Sequence, residues 1–388
     1  MNSLEAAGVD ASRLSAVRQR FEQQCARGAF PGGQLVVRRN GHVALELAIG
    51  IARGFRPTEP QPPTPVTLST RFSVFSASKA VVALVIAMLE DRGVIDVNAP
   101  VSQWWPEFAA NGKASLTVLD VLTHRAGVFA PELVSNPKAW GDDERVRQSM
   151  EQASPRWPRG VLSYLPYEYG WILAEVVKRA TGRRLDAFVA TEIAGPAGIP
   201  GLRFGATVAE LGELARTYWL GTKSVRVAGN ELSKTFEHDN NLPEALTAFV
   251  PAAGLVCTAG DLAAFYDVLV RGGVTPSGVR LLSAATLARY TTGPALAFDR
   301  SNRLPLRMGR GLMFGTLTPS IYGWWGTQRV YGHAGAFCTL AYADPDRELG
   351  VAIVTNGNRG PYDSLFRCAP LGSAVARACT RTSLVRAA

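Results

Sequence analysis

Two apolar β-hairpins, one near each end of the chain, constrain its fold most strongly. The first pairs residues 34–39 with residues 42–47 across Asn40-Gly41. Type I′ turns favour this dipeptide because both central residues take positive φ. The second hairpin pairs the apolar strands 336–343 and 350–355 across residues 344–348. This order predicts one antiparallel sheet built from both ends of the chain.

Between the hairpins the pattern of apolar residues becomes helical, and glycine and proline mark the loops. Examples are residues 118–122, 170–181 and 262–270. The sequence therefore predicts an α/β fold of the α+β type, in which helices flank an antiparallel sheet and a mostly helical domain is inserted. We expect residues 1–75 and 255–388 to form the sheet domain and residues 76–254 the helical domain. The functional site is expected in the cleft between the two.

The tetrapeptide Ser76-Ala77-Ser78-Lys79, followed by the apolar run 80–89, has the arrangement of a nucleophile at the start of a helix. A serine hydroxyl is a poor nucleophile at neutral pH, and a neutral amine one helical turn away can accept its proton. Burial lowers the pKa of a lysine and makes it available as a base. The plainer interpretation makes Ser76 a helix cap and leaves Lys79 in solvent.

The overall charge gives little support to nucleic-acid binding. The 388 residues carry 41 basic and 32 acidic side chains, a formal charge of +9. The basic residues are scattered, and no basic stripe with interleaved aromatic residues is visible. We expect a small-molecule substrate and no nucleic-acid partner.

Cysteine, histidine and hydropathy patterns exclude several other classes. The five cysteines include no CxxC pair and favour reduced thiols over a disulfide framework. The four histidines show no HExxH pattern, so no metal site and no cofactor is predicted. The longest apolar run is too short to span a bilayer, and no secretory signal is evident at the first residues. These features predict a cytoplasmic protein; they do not indicate its oligomeric state.

Three later segments contain candidate partners for the serine. Tyr164 lies before an amphipathic helix, where a phenol beside Lys79 could relay a proton, and Tyr167 is an alternative to it. The glycines around His333 let a strand approach a ligand closely. His124 follows a helical stretch, and we interpret it as a residue that ties loop backbone groups together.

In this order, the motifs resemble those of the serine β-lactamase and penicillin-recognising superfamily. The similarity is greatest to its class C β-lactamase-like branch, and within that branch to the family VIII carboxylesterases. It covers nearly the whole chain, through the segments 31–33, 72–79, 122–127, Tyr164, 251–255 and 333–335.

The resemblance implies a role for each matching residue. Ser76 would be the acylated nucleophile, Lys79 its proton acceptor and Tyr164 the partner base or acid. His333 and Gly335 would border the oxyanion hole. Its donors would be the backbone N–H groups of Ser76 and Ala336.

Two departures from the family pattern bear on the substrate. Pro166 stands where lactamase relatives have an asparagine that contacts the substrate amide, and proline has no side-chain donor. His333 stands where relatives have a lysine that faces a substrate carboxylate, and histidine is mostly neutral near pH 7. Both departures favour esters over carboxylated lactams.

The sequence thus predicts a serine carboxylesterase, while several alternatives stay open. An acyltransferase would use the same residues with another acceptor. A β-lactamase or D-amino-acid peptidase, and a non-catalytic penicillin-binding-like scaffold, are further alternatives. An α/β-hydrolase is disfavoured because no serine lies in a GxSxG motif. Trp324 and Trp325, just before the His333 strand, are candidates for the substrate pocket, although packing against a loop explains them equally well.

Overall fold

A large antiparallel sheet forms the centre of the protein. The computed structural model describes residues 8–134, 136–227, 230–360 and 362–379. The strands are β1 (Gly32–Arg39), β2 (His42–Arg53), β3 (Thr64–Pro65), β4 (Phe72–Ser73), β5 (Val128–Phe129), β6 (Ser154–Pro155), β7 (Arg203–Phe204), β8 (Tyr218–Trp219), β9 (Val225–Val227), β10 (Asn230–Leu232), β11 (Leu255–Cys257), β12 (Ala297–Asp299), β13 (Leu304–Met308), β14 (Met313–Phe314), β15 (Tyr331–Gly335), β16 (Thr339–Asp344), β17 (Leu349–Thr355) and β18 (Gly357–Asn358). Nine of them form one sheet in the order β12-β13-β14-β15-β16-β17-β1-β2-β3.

Both predicted hairpins are confirmed, and they meet in the middle of the sheet. Asn40 and Gly41 have φ values of 50° and 82°, as a type I′ turn requires. Strand β1 pairs with β17, which joins the two ends of the chain. The second hairpin differs from its prediction at one end, because β16 begins at Thr339. Phe337 and Cys338, with φ values of 58° and 60°, form a short turn there in place of strand.

Helices cover both faces of the sheet and fill the inserted region. They are α1 (Ala11–Ala26), α2 (Lys79–Asp91), α3 (Val118–Leu122), α4 (Pro131–Val134), α5 (Asp143–Gln152), α6 (Glu168–Thr181), α7 (Leu185–Val189), α8 (Gly195–Ala197), α9 (Lys234–Asn240), α10 (Pro243–Thr247), α11 (Ala259–Val270), α12 (Ala284–Thr291) and α13 (Asp363–Ala378). Short 3₁₀ turns lie at Phe75–Ser78, Val101–Gln103, Pro106–Ala109, Pro137–Gly141, Val208–Glu210 and Ala336–Cys338, and a π turn at Ala190–Ala194.

The side chains of β1 alternate between two hydrophobic cores. Leu35 and Val37 pack with residues of α1 and α13 on one face of the sheet. Val36 packs on the other face, in the core that includes α11 and α2. Successive side chains of a strand point to opposite faces, so a sheet covered on both faces must be apolar on both. The arrangement confirms the predicted fold class.

Helix α2 is the centre of the second core. Its residues from Lys79 to Leu89 are all buried, as expected of a helix that is apolar around its whole circumference. The small sheet β4-β11-β7 places Leu255 and its neighbours next to the strand that precedes Ser76. The predicted segment boundaries near residues 75 and 255 therefore lie side by side. The division into two domains at these residues stays a prediction.

Candidate active site

Ser76 lies in a 3₁₀ turn, Phe75–Ser78, that leads directly into α2. The turn begins with Phe75 at a φ of 50°, a conformation that non-glycine residues seldom adopt. Ser78 stabilises it: its hydroxyl donates to the Phe75 carbonyl at 2.6 Å and accepts from the Leu255 N–H at 3.0 Å. Ser76 itself remains partly exposed, so its hydroxyl is accessible from a neighbouring cavity.

Lys79 is fully buried, and its amine contacts three oxygen atoms. Nζ lies 2.7 Å from the Pro166 carbonyl, 3.1 Å from the Ala252 carbonyl and 3.2 Å from Ser76 Oγ. Burial lowers the pKa of Lys79 well below its ordinary value, against a smaller opposing effect of Glu168. The plain interpretation, in which Lys79 is solvated, is therefore wrong.

These contacts match the bonding capacity of a neutral amine. A neutral amine has two N–H donors and one lone pair, whereas an ammonium has three donors and no acceptor. The carbonyls of Pro166 and Ala252 accept the two N–H bonds. The lone pair is then left for the proton of Ser76, which is the arrangement that a general base needs.

Tyr164 lies against both members of this pair. Nζ of Lys79 is 4.9 Å from the centre of its ring. Burial raises the pKa of the phenol, and a hydrogen bond with Ser76 lowers it by a smaller amount. The phenol therefore stays protonated at neutral pH, and the structure favours it as a proton donor.

His124 positions the tyrosine. Its ring stacks on Tyr164 at 4.6 Å, its Nδ1 accepts from the Leu165 N–H at 3.0 Å, and its carbonyl accepts from the Ser163 N–H at 2.9 Å. Since Nδ1 is an acceptor, the ring is neutral, and burial lowers its pKa well below the ordinary value. The interpretation of His124 as a residue that holds loop backbone groups is confirmed.

Strand β15 closes the site on the opposite side. A Cβ atom on Gly335 would lie 2.2 Å from the Val74 carbonyl oxygen, so only glycine lets the strand approach the Ser76 turn this closely. His333 is buried, with Nδ1 2.6 Å from the Ala334 carbonyl. Burial, with a smaller effect of Lys79, lowers its pKa to about 3. His333 is therefore neutral over the range in which proteins normally work.

A cavity of about 250 Å³ opens at Ser76. Tyr164, His333, Gly335 and Ala336 also line it. The remaining wall is largely apolar, and it is formed by Leu232, Phe236, Leu304, Leu306, Met308, Met313 and Ile321. Within the part of the chain that the structure describes, no charged side chain lines this cavity.

The structure places three predicted pocket residues elsewhere. Tyr167 packs between Trp140 and Trp171, with ring distances of 4.9 and 5.7 Å, and lies outside the cavity wall. Its side chain belongs to the buried core that includes α2 and α6. Trp325 is 75% exposed, and the backbone N–H of Trp324 donates to Ser373 of α13. Neither tryptophan lines the cavity with Ser76, because the loop before β15 lies over α13.

Other residues of the site were not predicted from the sequence. The two carbonyls that hold Lys79 belong to residues 87 and 173 positions further along the chain. Asp299 is buried and accepts the Tyr164 N–H at 2.9 Å, and it also accepts the N–H of Ser301 at 3.1 Å. Residues 299–302 contain aspartate, serine and asparagine, which are common in turns. This composition could have predicted the turn, but not its contact with Tyr164.

The described residues contain neither a membrane-spanning helix nor a metal-binding cluster. Among residues 8–134, 136–227, 230–360 and 362–379, no helix is long and apolar enough to cross a membrane. The same ranges contain no cluster of three or more histidine, cysteine, aspartate or glutamate side chains that could hold a metal ion. The prediction of a cytoplasmic location stays a prediction.

Comparison with protein families identifies the chain. The family model described as Beta-lactamase matches residues 17–367. The chain belongs to the β-lactamase family. The resemblance inferred from the sequence motifs is thereby confirmed, and with it membership of a group of serine hydrolases that includes esterases and penicillin-binding proteins.

Individual members of the β-lactamase family are similar over most of the chain. Esterase/beta-lactamase LipL of Mycobacterium tuberculosis (strain ATCC 25618 / H37Rv) is 27% identical over 368 residues, which is 89% of this chain and 81% of LipL. A penicillin-binding protein homolog from Caulobacter crescentus superposes with a TM-score of 0.79 at 28% identity, covering 96% of this chain and 99% of the homolog. A family VIII carboxylesterase gives a TM-score of 0.78 at 25% identity, with the same coverage.

Proposed function

We propose that the protein is a serine carboxylesterase that acts on uncharged esters with an apolar acyl or alcohol group. The observation that carries this proposal is the cavity at Ser76, whose described lining residues are largely apolar and include no charged side chain. A carboxylated lactam placed there would bury its carboxylate without a cationic partner, which is unfavourable. The similarity to LipL and to a family VIII carboxylesterase supports the same choice.

Acylation begins with proton transfer from Ser76 to Lys79. The neutral amine accepts the hydroxyl proton, and Oγ attacks the ester carbonyl carbon. The carbonyl oxygen becomes an oxyanion, which the backbone N–H groups of Ser76 and Ala336 stabilise in this proposal. Collapse of the tetrahedral intermediate breaks the bond to the alcohol oxygen, and the alcohol leaves with a proton that Tyr164 delivers. The Lys79 proton then returns to Tyr164.

Deacylation uses the same groups in reverse. Lys79, relieved of its proton, accepts one from water, and the resulting hydroxide attacks the acyl carbon. Oγ of Ser76 leaves with a proton that Tyr164 delivers, and Lys79 returns the proton taken from water to Tyr164, so the acid is released and the enzyme is restored. The raised pKa of Tyr164 suits this role because the phenol holds a proton at the start of each step.

His333 supports the choice of ester over carboxylated lactam. A neutral imidazole with a pKa of about 3 offers no positive charge to a substrate carboxylate above that pH. Pro166 contributes in the same direction, because its carbonyl is already bonded to Lys79 and it has no side-chain amide.

A substrate panel tests the proposed function. We expect hydrolysis of p-nitrophenyl esters, with kcat/KM rising by about fourfold for each added methylene until the cavity is filled, since a buried methylene contributes roughly 0.8 kcal/mol. A chromogenic cephalosporin should be turned over at least about a hundredfold more slowly. Lactam hydrolysis equal to the best ester would contradict the proposal.

The same panel separates the remaining alternatives. With a competing alcohol present, an esterase releases mainly the free acid, whereas an acyltransferase yields mainly the transferred ester. Products are measured by chromatography and mass spectrometry. A scaffold protein would show neither product and no covalent adduct with an activated ester.

Substitution of single tyrosines by phenylalanine, which removes only the hydroxyl group, tests which tyrosine is catalytic. Tyr164→Phe should lower kcat/KM by about a hundredfold or more, because it removes the proton donor from contact with Ser76. Tyr167→Phe is the matched control: its ring lies between two tryptophans, so activity should stay within about twofold of wild type. Kinetics with one p-nitrophenyl ester and circular dichroism of both variants provide the measurement. A larger loss in Tyr167→Phe would reverse the assignment.

A further inference from the structure

A second cavity, of about 390 Å³, adjoins the segment that carries Tyr164. Residues 163–166 form one wall, and Tyr164 lines this cavity as well as the one at Ser76. The turn between β12 and β13 forms another wall. Its volume is within the range of small-molecule sites.

Three arginines without acidic partners line this second cavity. They are Arg156, Arg300 and Arg303. Within the described ranges, none of the three guanidinium groups takes part in an ion pair, and no aspartate or glutamate lines the cavity. Asp299, which precedes Arg300 in the chain, accepts backbone N–H groups and the side-chain amide of Asn302, and it does not line the cavity. The cavity wall therefore carries three exposed guanidinium groups that have no ion-pair partner among the described residues.

A buried hydroxyl adds a second, independent indication of a ligand. Ser163 is 1% exposed and lines the cavity. Its Oγ is buried and has no hydrogen-bond partner among the described residues. Buried polar atoms are nearly always paired, so the Ser163 hydroxyl is available to pair with a molecule bound in the cavity.

Two aromatic rings also line this cavity, beside one of the arginines. Phe129 and Trp157 line the cavity, and the guanidinium of Arg156 lies 5.3 and 5.9 Å from the centres of their rings. Aromatic walls favour a flat apolar group, and arginine forks favour carboxylate or phosphate oxygens.

We propose that this cavity is a binding site for a small organic anion, a carboxylate or phosphate attached to a flat apolar group. Arg156, Arg300 and Arg303 would hold the anionic end together with the Ser163 hydroxyl, and the rings of Phe129 and Trp157 would contact the apolar end. The proposal stands apart from the esterase activity, because none of its charged residues lines the cavity at Ser76.

Calorimetric titration of the full-length protein, in a low-salt buffer without phosphate or carboxylate, tests the proposal. Phenyl phosphate and benzoate serve as probes, and their relative affinities show whether phosphate or carboxylate is preferred. Inorganic phosphate should bind more weakly than phenyl phosphate, since it lacks the ring. Benzyl alcohol, which is neutral, should not bind measurably.

Variants locate the binding. Arg156→Gln and Arg300→Gln should each weaken binding of the better probe by about tenfold, because a charge-assisted hydrogen bond is lost. Arg20→Gln is the matched control: Arg20 is an exposed residue of α1, far along the chain from the cavity, and it loses the same charge. Affinity in this control should be unchanged. Absence of saturable binding by both probes up to about 10 mM, or binding that the two variants leave intact, would overturn the proposal.

Discussion

Replacing Ser76 with alanine is expected to abolish acyl-enzyme formation and to reduce ester hydrolysis by about 10⁴-fold or more. The reason is that Oγ is the atom that bonds to the substrate, and no neighbouring group can take its place 3.2 Å from the Lys79 amine. Mass spectrometry after incubation with an activated ester provides the most direct measurement. Wild-type protein should gain the mass of one acyl group, and the variant should not.

A second serine in the same cavity provides the control. Ser364 lines the cavity, but its hydroxyl contacts Cys338 and not Lys79. Ser364→Ala should therefore keep the acyl adduct and change kcat by less than about threefold. An adduct in Ser76→Ala, or its loss in Ser364→Ala, would place the nucleophile elsewhere.

Replacing Lys79 with methionine should lower kcat/KM by about 10³-fold, which corresponds to about 4 kcal/mol of transition-state stabilisation. Methionine keeps most of the apolar volume of the side chain in the buried core of α2 but has no basic nitrogen. Steady-state kinetics with the best ester of the panel provide the measurement, and the thermal midpoint verifies that the variant is folded. Arginine at this position should not restore activity, because a guanidinium remains protonated.

The pH dependence follows from the lowered pKa of Lys79. Only the neutral amine can accept the serine proton, so kcat/KM should rise with pH through the lowered pKa and then level off. His333 does not account for this rise above pH 5, because its pKa lies near 3. If Lys79 is the general base, the residual kcat/KM of Lys79→Met should no longer rise with pH. An unchanged pH profile in this variant would contradict that role.

The free energy of unfolding should also depend on pH through the titration of Lys79. Between the lowered folded-state pKa of Lys79 and its ordinary value, the unfolded chain binds one proton more than the folded chain. The free energy of unfolding therefore rises with pH across this window, and this contribution is lost as pH falls through it. Urea unfolding at several pH values gives the free energy of unfolding as a function of pH. This free energy should rise less steeply with pH for Lys79→Met than for wild type.

The features that sequence analysis predicted correctly are those set by neighbouring residues. Asn40-Gly41 determines a turn within four residues, and the spacing of Ser76 and Lys79 places both on one face of a helical turn. The family resemblance followed from the order of such local motifs. Helix α1 was not predicted, since its apolar positions Leu14, Val17 and Phe21 are few among polar residues.

The choice between Tyr164 and Tyr167 illustrates what local pattern could not decide. The two phenols are three residues apart, and both lie in a run of aromatic residues before α6. Only the folded chain places His124 and Lys79 beside one ring and two tryptophans beside the other. The misplacement of Trp324 and Trp325 has the same origin, because adjacency to β15 in sequence did not determine which side of the loop faces α13.

The amino-acid sequence by itself determined the hairpins, the pairing of Ser76 with Lys79, and the family, because each depends on residue types at short and regular spacings. Tertiary structure decided the lowered pKa of Lys79 and the uncharged wall of the cavity. Both depend on groups brought together from distant parts of the chain. For example, the Lys79 amine donates to the carbonyl of Ala252, which lies 173 residues further along the chain. Burial sets the pKa of that amine, and burial is a property of the whole fold.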